Sequence, residues 1–205
     1  MEPQFGPDLP VERPGWRETL TGATDLALVG IGVLVLSLPV LTAPAAVTAG
    51  SAAAAHWCRE RDLPRTTHLL RIFRRGLRPG LLPAVVVAAL FVVLVVDLRA
   101  VVAGAVPGGA LLGVAELGCA AAALTVLGLA VVRAGARPGV PWADAVRWAL
   151  RTARRHPRCA VAVFAVELGA GLIAVFVPVT APLALGYALL GLHAVTGRSV
   201  LTDED

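Results

Sequence analysis

Three carboxyl side chains of this 205-residue chain stand inside or beside long apolar stretches: Asp97, Glu116 and Glu167. An ionisable group in such company is costly to bury, which makes it a candidate for binding or proton-handling chemistry. Glu167 is the sharpest case. It falls about nine residues into the stretch Cys159 to Val177, close to its middle if the stretch is helical at ~1.5 Å per residue. There it is expected either to keep its proton or to pair with a donor from another helix. Two roles stay open for it, a proton or substrate site and a carboxyl that fixes helix packing. Glu116 is expected nearer the surface, within reach of headgroups or water. Asp97 and Arg99 are expected to cap the stretch Leu81 to Val96, and His193 to pack near the end of Leu183 to Val195.

Other chemistry is poorly provided for. Acid–base catalysis needs polar partners close together, and no Ser/His/Asp grouping or His/Glu zinc spacing stands out. The glycine-rich piece Gly104 to Gly113 lacks the lysine and strand-to-helix setting of a phosphate loop. Cys58, Cys119 and Cys159 are too far apart for a local metal site, and their odd count does not suit a disulfide framework. They read as small packing residues. No enzyme activity, cofactor or metal is expected.

The elements that position these residues follow from composition. The chain is 57% apolar and 16% charged, with mean hydropathy +0.77. A water-soluble domain carries roughly a quarter charged residues, and one this small has too little interior to hide so much apolar surface. The fold class expected is therefore an all-α membrane protein, a six-span helical bundle with two interfacial amphipathic helices. Between Asp25 and Arg59, 33 residues carry no formal charge, whereas one crossing needs about 20. Pro39 and Pro44 disfavour helix where they stand, so the run is expected to turn back there. The first two spans become Trp16 to Leu38 and Ala43 to Trp57. One long kinked span, making five in all, is the alternative. The remaining spans are Leu81 to Val96, Leu111 to Val132, Cys159 to Val177 and Leu183 to Val195, with turns at Val106 to Gly109 and Pro178 to Pro182. Residues 1–15 are expected to form a disordered tail, 16–197 a single bundle and 198–205 an acidic tail.

All 18 basic residues are Arg, and two stretches gather most of them. In Pro64 to Arg78, Leu69, Ile72, Phe73 and Leu77 share one helical face while Arg71, Arg74, Arg75 and Arg78 share the other. In Pro141 to His156, Trp142, Val146, Leu150 and Ala153 oppose Arg147, Arg151 and Arg154, with Arg158 beyond. Such helices are expected to lie in the interface with their guanidinium groups on anionic lipid headgroups. Nucleic acid is not an expected partner; lipid is, and an acidic transporter subunit is a second possibility for the Arg faces. Seven Arg fall between Arg59 and Arg78, seven between Arg133 and Arg158, and one, Arg99, between those groups. Short basic loops stay in the cytoplasm, which places both ends of the chain there in a bacterial plasma membrane. Trp57, Trp142 and Trp148 fit the aromatic belt at the interface. The turns Pro-Val-Leu-Thr-Ala-Pro and Pro-Val-Thr-Ala-Pro share a word, a hint of internal duplication. Oligomeric state is not legible.

The order of features also resembles a known family. Leu38-Pro39-Val40-Leu41-Thr42-Ala43-Pro44 and the small-residue helix after it, then Arg59-Glu60-Arg61-Asp62, then Leu70-Arg71-Ile72-Phe73-Arg74, and Asp97 closing an apolar span, resemble the YesL family of bacterial membrane proteins over about residues 20 to 100. The resemblance implies a membrane protein without assigned catalytic residues that keeps company with carbohydrate uptake systems. The usual aromatic residues near the second span are missing here.

Overall fold

A computed structural model describes residues 16–104 and 109–199. The expected tail of residues 1–15, residues 200–205 of the expected tail 198–205, and most of the turn at Val106 to Gly109 lie outside the described residues; α7 runs to Ser199. Within them the chain forms seven α-helices, α1 (Trp16–Leu36), α2 (Ala43–Glu60), α3 (Thr66–Val102), α4 (Gly109–Ala136), α5 (Trp142–Arg155), α6 (Pro157–Phe176) and α7 (Ala181–Ser199), and no strand. Four helical stretches are long and apolar enough to cross a membrane: Thr66–Val102, Leu111–Ala136, Pro157–Phe176 and Pro178–Gly197. This is a membrane-embedded helical protein. In α1 the apolar part is shorter, Leu20–Leu36, and the buried residues of α2 are all Ala, Gly or Ser.

Proline punctuates the chain largely where expected. After Leu36 the backbone makes a single 3-10 turn, Val40–Thr42, and re-enters helix at Ala43 with Pro44 in the first turn, where no amide donor is needed. α1 and α2 then run antiparallel, Gly22 beside Trp57 and Gly50 beside Val29 and Val33, so the run is two helices. The same turn recurs between α6 and α7 at Pro178–Thr180. In both, the Thr hydroxyl donates to the carbonyl three residues back, Thr42 to Pro39 and Thr180 to Val177, each at 2.7 Å.

α2 sits at the centre, packed by α1, α3, α4 and α7. Nothing larger than Ala, Gly or Ser is buried along it, so its neighbours come close. α4 meets it at Gly135, where a side chain would strike Ser51. α1 meets α7 at Gly30 and Gly186, where a Cβ would strike the backbone of Pro182 and Leu26 respectively.

Two expectations are corrected. The segment Pro64 to Arg78 is not a separate interfacial helix: it is the first part of α3, which runs unbroken through Pro79 and Pro83 to Val102. It packs along α2, with Leu69 and Phe73 against the cluster of Val29, Val33, Ala46 and Ala53. Gly76 and Gly80 reach Ala45 and Pro44 at the start of α2. The expected third span, Leu81 to Val96, is therefore the continuation of the same helix. Helix survives the prolines because Pro79 is exposed, which leaves the carbonyl it orphans free to find another partner.

The second Arg-faced segment is a helix of its own, α5, but turned from the expected face. Ala145, Trp148, Ala149 and Thr152 are buried; Trp142, Val146 and Ala153 flank them half-buried, and Leu150 is exposed. Trp148 accordingly leaves the expected aromatic belt. It is 8% exposed among Leu129, Val132 and Val163, with the Arg133 guanidinium 5.0 Å from its ring centre. Arg71, Arg75 and Arg78 of α3 recur 76 positions later as Arg147, Arg151 and Arg154 of α5. The Arg-faced segments thus share a spacing, and α5 ends in a break at His156 (φ −124°, ψ 71°) before Pro157, whereas α3 continues.

Candidate functional site

Glu167 lies in α6 ten residues after Pro157 and nine before Phe176, so the structure keeps it at mid-helix. Its side chain reaches toward α4 at Gly128, where any Cβ would run into the carboxyl group. It is half-buried, and its Oε2 is shut off from the surface with no hydrogen-bond partner among the described residues. Beside it lies a groove of about 340 Å³ between α4, α6 and α7, floored by Val47 of α2 and Leu189 of α7. Glu167 is the one ionisable residue of that groove; the rest of its lining is Ala, Gly, Leu and Val. A second groove of about 410 Å³, between α2, α3 and α4, shares Val47, Leu127 and Val131 with the first.

Deeper in the bundle α2, α4 and α7 are joined by a polar contact that sequence reasoning missed. The Ser51 hydroxyl is 3.0 Å from the Val131 carbonyl and 2.8 Å from Nε2 of His193. A carbonyl only accepts, so the single hydroxyl proton goes to Val131; His193 must then donate from Nε2, which fixes its tautomer. Ser51 and His193 stand 142 residues apart, and no local spacing could have announced the pair. Only the uncharged setting of each residue was a clue. Thr196, one turn on, bonds back to the Leu192 carbonyl at 2.8 Å. The contact joins helices, since an Oγ that is already donating to a carbonyl is not poised as a nucleophile.

The other singled-out residues are dispersed. Glu116 lies in the first turns of α4, its Oε1 buried without a hydrogen-bond partner among the described residues. Asp97 and Arg99 are exposed near the end of α3, and are brought to none of the sites above. Arg71, Arg74, Arg75 and Arg78, like Arg147, Arg151, Arg154 and Arg158, are all exposed. Arg147 pairs with Asp144. At the end of α2, Arg61 takes the left-handed conformation (φ 57°) that stops the helix, and its guanidinium covers the Trp57 ring at 4.9 Å. Cys159 is buried, Cys58 and Cys119 are exposed, and none of the three is in a disulfide. Among the described residues no group of three or more His, Cys, Asp or Glu could hold a metal ion. No family model, curated protein or solved structure matches this chain.

Proposed function

We propose that this protein is a non-catalytic accessory or scaffold component of a bacterial membrane transport system. One observation carries the reading. α3 holds the most apolar stretch of the chain, yet over its 37 residues only Gly80 and Ala84 are buried. Leu82, Val85, Leu90, Phe91 and Val92 all face outward. A face so large beyond the protein's own core is available to lipid and to the helices of a larger assembly. The YesL resemblance of residues 20 to 100 supports carbohydrate uptake as the setting. The Arg-bearing faces of α3 and α5 hold the protein to anionic headgroups, a contribution of about 1 kcal/mol per Arg, and offer a surface to a cytoplasmic subunit.

Purification in mild detergent tests this, with a photo-crosslinker at Leu90. A stoichiometric transporter subunit crosslinked to α3 is the expected result; a chain that runs alone under every gentle condition overturns it.

Both ends belong in the cytoplasm of a plasma-membrane protein, on the strength of the two Arg-rich stretches. A hairpin adds an even number of crossings, so the side of each end is the same whether or not α1 and α2 cross. The six-span arrangement counts that hairpin as crossing. With Leu41→Cys in a cysteine-free background, labelling from outside gives six spans and labelling from inside gives four.

A second reading, a small carrier, is favoured by Glu167 alone, because carriers place their sites at mid-membrane. Glu167→Gln should then abolish flux in vesicles or shift its pH dependence.

A further inference from the structure

We infer that the α1–α2 hairpin enters the bilayer from the cytoplasmic side, turns back within the hydrocarbon at Val40–Thr42 and never reaches the outer surface. The cytoplasmic side rests on the Arg placement in the proposed reading; the depth rests on contacts within the chain.

α3 supplies the ruler. Between Arg78 and Asp97 it has 18 consecutive residues without a charge, about 27 Å of helix against a hydrocarbon layer about 30 Å thick. The middle of that stretch falls between Val87 and Ala88. The hairpin lies against α3 at fixed marks. Gly76 and Gly80 meet Ala45 and Pro44 at the start of α2. The Val40–Thr42 turn packs on α3, and Val40 and Ala43 line one groove with Pro83, Ala84, Val87 and Phe91. The turn thus stands near the middle of the uncharged stretch. From Ala88 there are still nine residues to Asp97, about 14 Å of helix.

Sliding the bilayer along α3 does not rescue a crossing. An outer surface at the level of Ala88 would put the inner one about 20 residues earlier, close to His68. Arg71, Arg74, Arg75 and Arg78, all exposed, would then stand in hydrocarbon, where charged side chains are costly. Phe91, Val92 and Val93, each more than half exposed, would stand in water. The chemistry of the turn agrees. Turns that meet water favour Gly, Asn, Asp and Ser, whereas the tip here exposes Leu38, Val40 and Leu41. Backbone inside a membrane has to satisfy its own polar groups. The Ser37, Leu38 and Thr42 amides donate back to the carbonyls of Val33, Val35 and Pro39, and the Thr42 hydroxyl also donates to Pro39. Pro39 and Pro44 have no amide hydrogen to pair. Among the described residues, neither α1 nor α2 counts with the helices long and apolar enough to cross. What surrounds the tip is therefore the acyl chains of the leaflet it enters, while α3 continues outward with α4 beside it, Gly113 on Val101.

The test reads depth from single spin labels in a cysteine-free full-length chain held in lipid nanodiscs, each variant keeping the helicity of its parent. Labels at Leu38→Cys and Leu41→Cys should be as open to oxygen, and as sheltered from a water-soluble nickel chelate, as one at Leu90→Cys. A label at Asp97→Cys should favour the chelate. In vesicles, Leu41→Cys should react with an impermeant maleimide from neither side. Separately, Leu41→Lys should lower the membrane-integrated fraction severalfold, because a charge within hydrocarbon opposes insertion. Maleimide reaction at Leu41→Cys from either side overturns the inference, since the hairpin then crosses or stays at the surface. Chelate access at Leu38→Cys equal to that at Asp97→Cys, or an unchanged integrated fraction for Leu41→Lys, overturns it as well. The cytoplasmic side falls on its own if Arg74→Cys reacts from outside. Co-purification of a transporter subunit, which tests the accessory reading, does not depend on any of these depths.

Discussion

α2 and α3 pack side by side and are solvated in opposite ways. In α2, nine residues between Ala45 and Ala55 are buried, all of them Ala, Gly or Ser. In α3, twice as long and far more apolar, two are. A protein in water arranges this the other way, with its bulky apolar side chains inside. Here hydropathy marks the helix that faces lipid, and smallness marks the helix at the centre. Lipid tails are as apolar as leucine, so burying Leu90 or Val92 against protein gains little, whereas close backbone approach gains dispersion contacts and shelters hydrogen bonds such as that of Ser51.

The contrast can be broken most severely at Leu90, which is 59% exposed. Leu90→Arg should oppose membrane insertion by about 3 kcal/mol, read as a drop in the membrane-integrated fraction. Ala53→Leu, in the fully buried part of α2, should overpack the bundle and destabilise it by about 2 kcal/mol; a lowered melting temperature in detergent checks it. Ser51→Ala should cost about 1 kcal/mol, since it leaves the His193 donor and the Val131 carbonyl without the hydroxyl between them. The same thermal measurement applies, and His193→Ala added to Ser51→Ala should cost less than the sum of the two changes. The smallest effect sharpens the comparison. Leu90→Ala should change stability by no more than about 0.5 kcal/mol, and a loss as large as that of Ala53→Leu would mean that α3 is packed against something in the isolated protein.

The sequence was legible where proline and charge punctuate it. The Pro39–Pro44 turn and the Pro178–Pro182 turn stand where local backbone chemistry required them. It misled where that chemistry was outvoted. Periodicity set Pro64 to Arg78 apart from the span Leu81 to Val96, whereas packing of Gly76 and Gly80 on Ala45 and Pro44 accompanies one continuous helix. Periodicity on α5 ranked Leu150 above Ala145 and Ala149, but tight packing prefers the small residues, and Trp148 followed them inward to meet Arg133. Of the candidate site, Glu167 and its depth were readable from the charge pattern alone. Gly128, which makes room for its carboxyl, was not, because nothing in the spacing links α4 to α6. The Ser51–His193 contact was invisible for the same reason.

The seam between α1 and α7, closed through Gly30 and Gly186, also bears on how the protein is made. α1 is synthesised well before its close neighbour α7, with 144 residues between Leu36 and Ala181. At roughly 5–20 residues per second, the ribosome needs on the order of 10 s to deliver that partner. Until then α1 and the backbone-lined surface around Gly30 stand open in the insertion machinery or the bilayer. A ribosome that stalls in α6 would leave a protein with the Pro178–Thr180 turn unmade and the α1 seam unsealed, a natural target for membrane quality control.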